Sequence, residues 1–209
     1  LKNKGLLTTT IVFFLTINTA YYWEGKLGFF AFPVSALLIV VYFVLVAALI
    51  RQIYFAVIEK LADKTRLLSI GLIALVLALV FVKPFGIIDF DKLEGENVLI
   101  AQREGSASCT ITLKLKDNFT FKERSVCFGV TELNGKHHLQ NDTIYFDDVE
   151  LRRNQDKFYK LAVVRLSKSK QDGKHFDLIR YTDLTDTIGN ALRVTKNELS
   201  KMKDKKRNH

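Results

Sequence analysis

The sequence predicts an α-helical membrane anchor of three transmembrane helices followed by an all-β antiparallel domain, either a small barrel or a sandwich. Three observations carry this reading. Three long apolar runs without a charge fall within the first 82 positions. Beyond about residue 97 the hydrophobic period changes from helical to alternating. Turn-forming residues recur between the alternating runs at short intervals.

The anchor occupies residues 1–88, with spans at about 5–23, 27–50 and 67–82. The first two runs, "GLLTTTIVFFLTINTAYYW" and "LGFFAFPVSALLIVVYFVLVAALI", reach the roughly 20 residues a helix needs to cross a bilayer. The third, "LLSIGLIALVLALVFV", is shorter and spans if Arg66 and Lys83 at its ends reach to the headgroups. Pro33 falls about two turns into the second run, where a membrane helix tolerates a kink. Ile53, Val57 and Leu61 follow at helical spacing, so the second helix is expected to continue into the loop after it. The spans carry no charged residue, which argues against transport by this chain alone. Thr8, Thr9, Thr10, Thr16, Asn18 and Thr19 make the first run polar enough for hydrogen bonds between helices, within the chain or with a second copy.

Lys and Arg in the short loops set the expected direction. Lys2 and Lys4 precede the first run, Lys26 alone separates the first from the second, and Arg51, Lys60, Lys64 and Arg66 separate the second from the third. The two richer groups belong in the cytoplasm. The N-terminus is then inside and the β-domain in the periplasm of a bacterial inner membrane, with Tyr21, Tyr22 and Trp23 at the outer interface. Were the first run instead a cleaved signal peptide, the β-domain would still lie outside.

Residues 89–96 are the connector and 97–200 the β-domain. Cys109, Ile111, Leu113 and Leu115 alternate with Thr110, Thr112, Lys114 and Lys116, as a half-buried strand requires. Phe119 and Phe121 resume the alternation after "KDN". Further strands are expected at 98–103, 125–133, 143–146, 158–166, 175–182 and 191–195, with turns at "NGK" (134–136) and "QND" (140–142). A short helix is expected within 183–190 or 197–203, and a basic disordered tail at 201–209.

Both cysteines, Cys109 and Cys127, flank one hairpin. They are not a C-x-x-C redox pair, and without nearby paired histidines they make a poor zinc site. An oxidising compartment favours a disulfide, with free buried thiols as the alternative. A turn centred on Asp117 sets Cys109 opposite Ser125, so the bridge requires a bulge near Glu123–Ser125. That bulge would also keep Glu123 and Ser125 out of the face that Phe119 and Phe121 make apolar.

The tail alone carries Lys201, Lys203, Lys205, Lys206 and Arg207 against Asp204, and so supplies a large share of the net charge of +9. The β-domain itself is nearly neutral and carries no basic stripe interleaved with aromatics, so nucleic acid is not an expected partner. His137 and His138 are adjacent and point to opposite faces of a strand, and Asp147, Asp148 and Glu150 read as a solvated loop. No nucleophile, phosphate-loop or metalloprotease pattern is present. Catalytic, cofactor and metal residues are all read as none.

The runs "LIAQREGSASC", "SVCFGVTE", "NDTIYF" and "KFYKLAVVR" resemble uncharacterised inner-membrane proteins of Bacteroidota-like bacteria, most closely over residues 84–200. That resemblance implies no function or site. The architecture also looks like membrane-anchored cyclic-nucleotide effectors of antiphage defence, although no ligand-binding motif of theirs matches here. The expected function is a non-enzymatic envelope protein whose β-domain binds a partner or small ligand. Its expected partners are the lipid bilayer and a second copy or envelope protein. The alternative is a membrane-disrupting effector with a cytoplasmic ligand-sensing barrel, and an envelope enzyme comes third.

Overall fold

A computed structural model describes residues 4–84, 86–106, 109–151, 157–167 and 175–200. The chain divides between Phe90 and Asp91 into two compact units. The basic tail at 201–209, and the last three residues of the helix expected at 197–203, lie outside the described residues.

The first unit is helical. Its first apolar run forms α1 (Lys4–Asn18) and α2 (Ala20–Leu27), bent by 72° at Thr19, in place of one continuous span. Polar side chains around the break bind nearby backbone carbonyls, and Trp23 of α2 reaches across the break to α1. Thr16 donates to the Val12 carbonyl (2.8 Å), Asn18 to Phe14 (2.9 Å), Thr19 to Leu15 (2.8 Å), and Trp23 Nε1 to Thr16 (3.3 Å). Such back-bonding competes with the helical ladder and bends it. The Thr10 and Thr16 hydroxyls are thus used within α1, while the Thr19 hydroxyl at the break binds back to α1 and also accepts from Trp23 of α2 (3.3 Å).

With 15 residues, α1 rises about 22 Å, short of the roughly 30 Å hydrocarbon core. Two helices, α3 (Ala31–Ile58) and α4 (Lys64–Val82), are long and apolar enough to cross a membrane, and a third span exists only if the bent pair crosses as one. As expected, α3 continues through the loop sequence to Ile58. Pro33, however, is its third residue, where a backbone N–H has no intrahelical acceptor to lose, so it begins the helix and does not kink it. Asp63 caps α4 by accepting from Thr65 N and Arg66 N. Phe13, Ile17, Leu45, Ile73 and Leu77 fill the space between α1, α3 and α4, while Phe43, Val44, Leu68 and Phe81 are exposed, as on a lipid-facing surface.

The second unit is a closed antiparallel barrel of eight strands in sequence order: β1 (Asn97–Glu104), β2 (Thr110–Lys116), β3 (Thr120–Val126), β4 (Val130–Gln140), β5 (Thr143–Asp147), β6 (Leu161–Leu166), β7 (Phe176–Tyr181) and β8 (Asn190–Asn197). β1 pairs with both β2 and β8, so no sheet edge is left open. Inward positions Leu99, Ala101, Leu113, Leu115, Phe121, Ile144, Phe146, Ala162, Leu178 and Leu192 form its core.

Turn chemistry departs from the expected pattern in two places. The strand expected over 125–133 is interrupted at Cys127–Gly129, where Phe128 has φ 52°. The "NGK" turn is absent, and β4 runs straight through it. Gly135 permits this, because a Cβ there would sit 2.6 Å from the Phe121 ring and 2.9 Å from the Asp147 carbonyl oxygen. The "QND" turn is present, with positive φ at Asn141 and Asp142, as a two-residue hairpin loop demands. Residues 183–189 form no helix, being held as a loop by Asp183 and Asp186 side chains.

A one-turn helix, α5 (Phe90–Leu93), leads into the barrel. Lys116, 1% exposed, donates to the Asp91 carbonyl (2.8 Å) and to Glu94 (2.9 Å) and pairs with Asp91 Oδ1 (3.1 Å). Lys114 and Asn97 also bind Asp91. Residues 91–97 are thereby tied to the β2–β3 end of the barrel.

Candidate functional site

The inward-facing positions change character along the strands. Leu99 and Ala101 are followed by Arg103, Phe121 by Glu123 and Ser125, and Leu178 by Arg180; on the antiparallel partners, Thr131 precedes Leu133 and Asn190 precedes Leu192. Odd strands end where even strands begin, so the polar residues meet at one end of the barrel. There they line a pocket of about 410 Å³, within the size range of small-molecule sites. The segment 157–159 completes it. Phe158 stacks on Phe121 at 5.3 Å, which fixes Tyr159 against the polar end.

Arg180 is the centre of this mouth. It is 1% exposed, its guanidinium pairs with Glu123 and donates to Asn190 Oδ1 (2.9 Å), and its Cζ lies 4.1 Å from the Tyr159 ring centroid. Burial pushes the Glu123 carboxyl up from its ordinary value, and Arg180 works against that rise. Burial likewise lowers Arg180, while Glu123 holds its charge in place. Arg180 Nε is buried with no hydrogen-bond partner, an unusual state for a donor inside a protein. Arg103 and Lys157 bring two further cations to the same pocket.

Sequence reasoning set Glu123 aside by means of a bulge that does not exist. The β2–β3 register is unbroken from Thr110↔Val126 to Leu115↔Phe121, so the hairpin centres on Asn118, one residue beyond the expected Asp117. Its loop is Asp117-Asn118-Phe119, with Phe119 at φ 66°. This frame extends to Cys109 opposite Cys127. Their Cα atoms are 4.4 Å apart and their Sγ atoms at disulfide distance, so the pairing needs no bulge. The same frame turns Glu123 inward, where Arg180 meets it. The signal for both lay in the alternation: Glu123 and Arg180 occupy inward positions of otherwise apolar rows.

The remaining polar groups are dispersed. His137 is 2% exposed, whereas His138 faces outward, hydrogen-bonded to Asp147 and stacked on Tyr145. Burial lowers His137 to about 4 against the opposing Thr120 backbone, and among the described residues neither ring nitrogen has a hydrogen-bond partner of ordinary geometry. Asp148 pairs with the exposed Lys136 at 2.9 Å, and His175 with Asp177 at 3.4 Å. Among the described residues no group of three or more His, Cys, Asp or Glu could hold a metal ion. In the helical unit, Phe13, Trp23, Tyr42 and Phe81 line an apolar hollow of about 430 Å³ that offers few groups to orient a ligand.

No protein-family model matches the chain, and neither a curated protein nor a solved structure is similar to it.

Proposed function

We propose that this chain is a membrane-anchored binding protein whose barrel receives a small ligand in its polar mouth, outside the cytoplasm of a bacterial inner membrane. The observation that carries the reading is the mouth itself. A buried arginine with an unpartnered Nε faces a pocket ringed by hydroxyl, amide, charged and aromatic side chains.

The extracytoplasmic assignment is supported by the loop cations between α3 and α4 and by the paired cysteines. One observation favours the effector reading. If the bent α1–α2 pair does not cross, Lys2, Lys4 and Lys26 join the barrel's side of the membrane, and the contrast in loop charge weakens. A periplasm-active reporter fused after His209 tests the assignment: activity is expected, and a fusion active only in the cytoplasm transfers the proposal to a cytoplasmic sensor.

Binding is tested by screening charged and neutral metabolite-sized compounds against the full chain in nanodiscs, beside Thr131→Trp, which fills the mouth. Retention lost in the filled variant supports the reading. Retention unchanged by the substitution, or none at all, refutes it.

A further inference from the structure

The mouth carries an imbalance of charge that suits one class of ligand. The Arg180 charge is met by Glu123, but Arg103 and Lys157 have no ion-pair partner among the described residues. Two cations therefore face the pocket without a counter-charge. Both are solvent-exposed at the rim of the pocket, where they attract an entering anion over a neutral ligand. Arg180 lines the same pocket, its terminal nitrogens already held by Glu123 and Asn190.

The rest of the lining selects the body of the ligand. Ser125, Thr131 and Thr182 bring hydroxyls and Asn190 an amide, while Phe158 and Tyr159 add aromatic lining. Hydroxyls and amides match a hydroxylated carbon chain or ring, and aromatic lining matches its less polar face.

We propose that the barrel mouth takes a small hydroxylated organic anion, of the sugar-acid or sugar-phosphate class, with its acidic group between Arg103 and Lys157 and its hydroxylated body against Ser125, Thr131 and Asn190. This rests on the mouth being a ligand site at all. Glu123 then acts as the resident counter-ion that keeps Arg180 charged and in place.

Equilibrium dialysis of the full chain in phosphatidylcholine nanodiscs tests this with gluconate, ribose 5-phosphate, inorganic phosphate and neutral ribose as probes. The two hydroxylated anions should be retained well above ribose and above inorganic phosphate. Arg103→Gln and Lys157→Gln should each weaken their retention by about fivefold, as expected for partly exposed charges.

Each contrary result has a separate meaning. Ribose retained as well as its phosphate overturns the anionic class but leaves the ligand site standing. Inorganic phosphate retained as well as ribose 5-phosphate overturns recognition of the body. Anion retention unchanged in the Arg103→Gln/Lys157→Gln double variant places the anion elsewhere and overturns the proposal. Retention lost when phosphatidylglycerol is added to the nanodisc assigns the site to a lipid headgroup. No retention of any probe overturns both the class and the mouth as a site.

Discussion

Between pH 6.5 and 4, acid should destabilise the barrel through His137. Its ring is 2% exposed, with the Phe119 ring 6.3 Å away between centroids and Phe146 opposite in the β4–β5 pairing. Burial holds it near 4 against an ordinary 6.5; the His138 charge adds to the drop, while the Thr120 backbone and Asp147 oppose it. The unfolded chain takes up this proton as pH falls through about 6.5, and the folded chain does not until about 4. The His137 contribution to stability is therefore complete above pH 6.5 and lost progressively as pH falls to 4. The difference of 2.5, from 6.5 to 4, at about 1.4 kcal/mol per pH unit, gives an upper figure of about 3 kcal/mol. For a domain of this size that lowers the urea midpoint by about 2 M.

The assay is urea unfolding of the full chain in detergent, followed by the β-sheet circular dichroism signal at several pH values between 7.5 and 4. Glu123, raised by burial, works in the opposite sense: its stabilising proton is present in acid and lost as pH rises. His137→Leu removes only the histidine contribution. It should flatten the acid slope and, by deleting two unpartnered ring nitrogens, match or exceed the wild type at neutral pH. Equal pH slopes in wild type and His137→Leu would refute the reasoning.

Three other tests follow from the same structure. Protein made in the periplasm should carry the Cys109–Cys127 bridge, read as two thiols protected from alkylation in the intact mass; the Cys109→Ser/Cys127→Ser variant should lose about 3 kcal/mol, from the closure of an 18-residue loop. Lys116→Ala should release residues 91–97, seen as faster hydrogen exchange there. Asp91, which burial would raise but the hydrogen bonds of Lys114, Asn97 and Lys116 hold near 2, should contribute about 1 kcal/mol after allowance for solvent, present above pH 3.8 and lost as pH falls to 2. Gly135→Ala should lower stability by about 2 kcal/mol, because its Cβ meets the Phe121 ring and the Asp147 backbone; unchanged thermal unfolding would show that β4 can shift.

Much of the candidate site was within reach of the sequence, and one register error concealed it. The alternation marks the strand bearing Phe121, Glu123 and Ser125, yet an inward carboxylate reads locally as something a bulge must remove. Strand alternation assigns a residue to a face, but it does not say whether a partner waits there. Arg180, 57 residues later in sequence, supplies that partner from β7. Similarly, "NGK" carries every local mark of a turn, and only the Phe121 ring beneath Gly135 shows why the strand continues.

By itself the sequence determined the division into an apolar helical part and an alternating β part, because hydrophobic period and run length are local properties of the chain. It also determined that the cysteines bracket one hairpin. Closure of eight strands into a barrel, the bend at Thr19 and the meeting of Arg180 with Glu123, Asn190 and Tyr159 were decided by the tertiary structure. The barrel and its mouth depend on which strand lies beside which and in what register, and a buried charge is stable only where a distant segment provides its counter-charge.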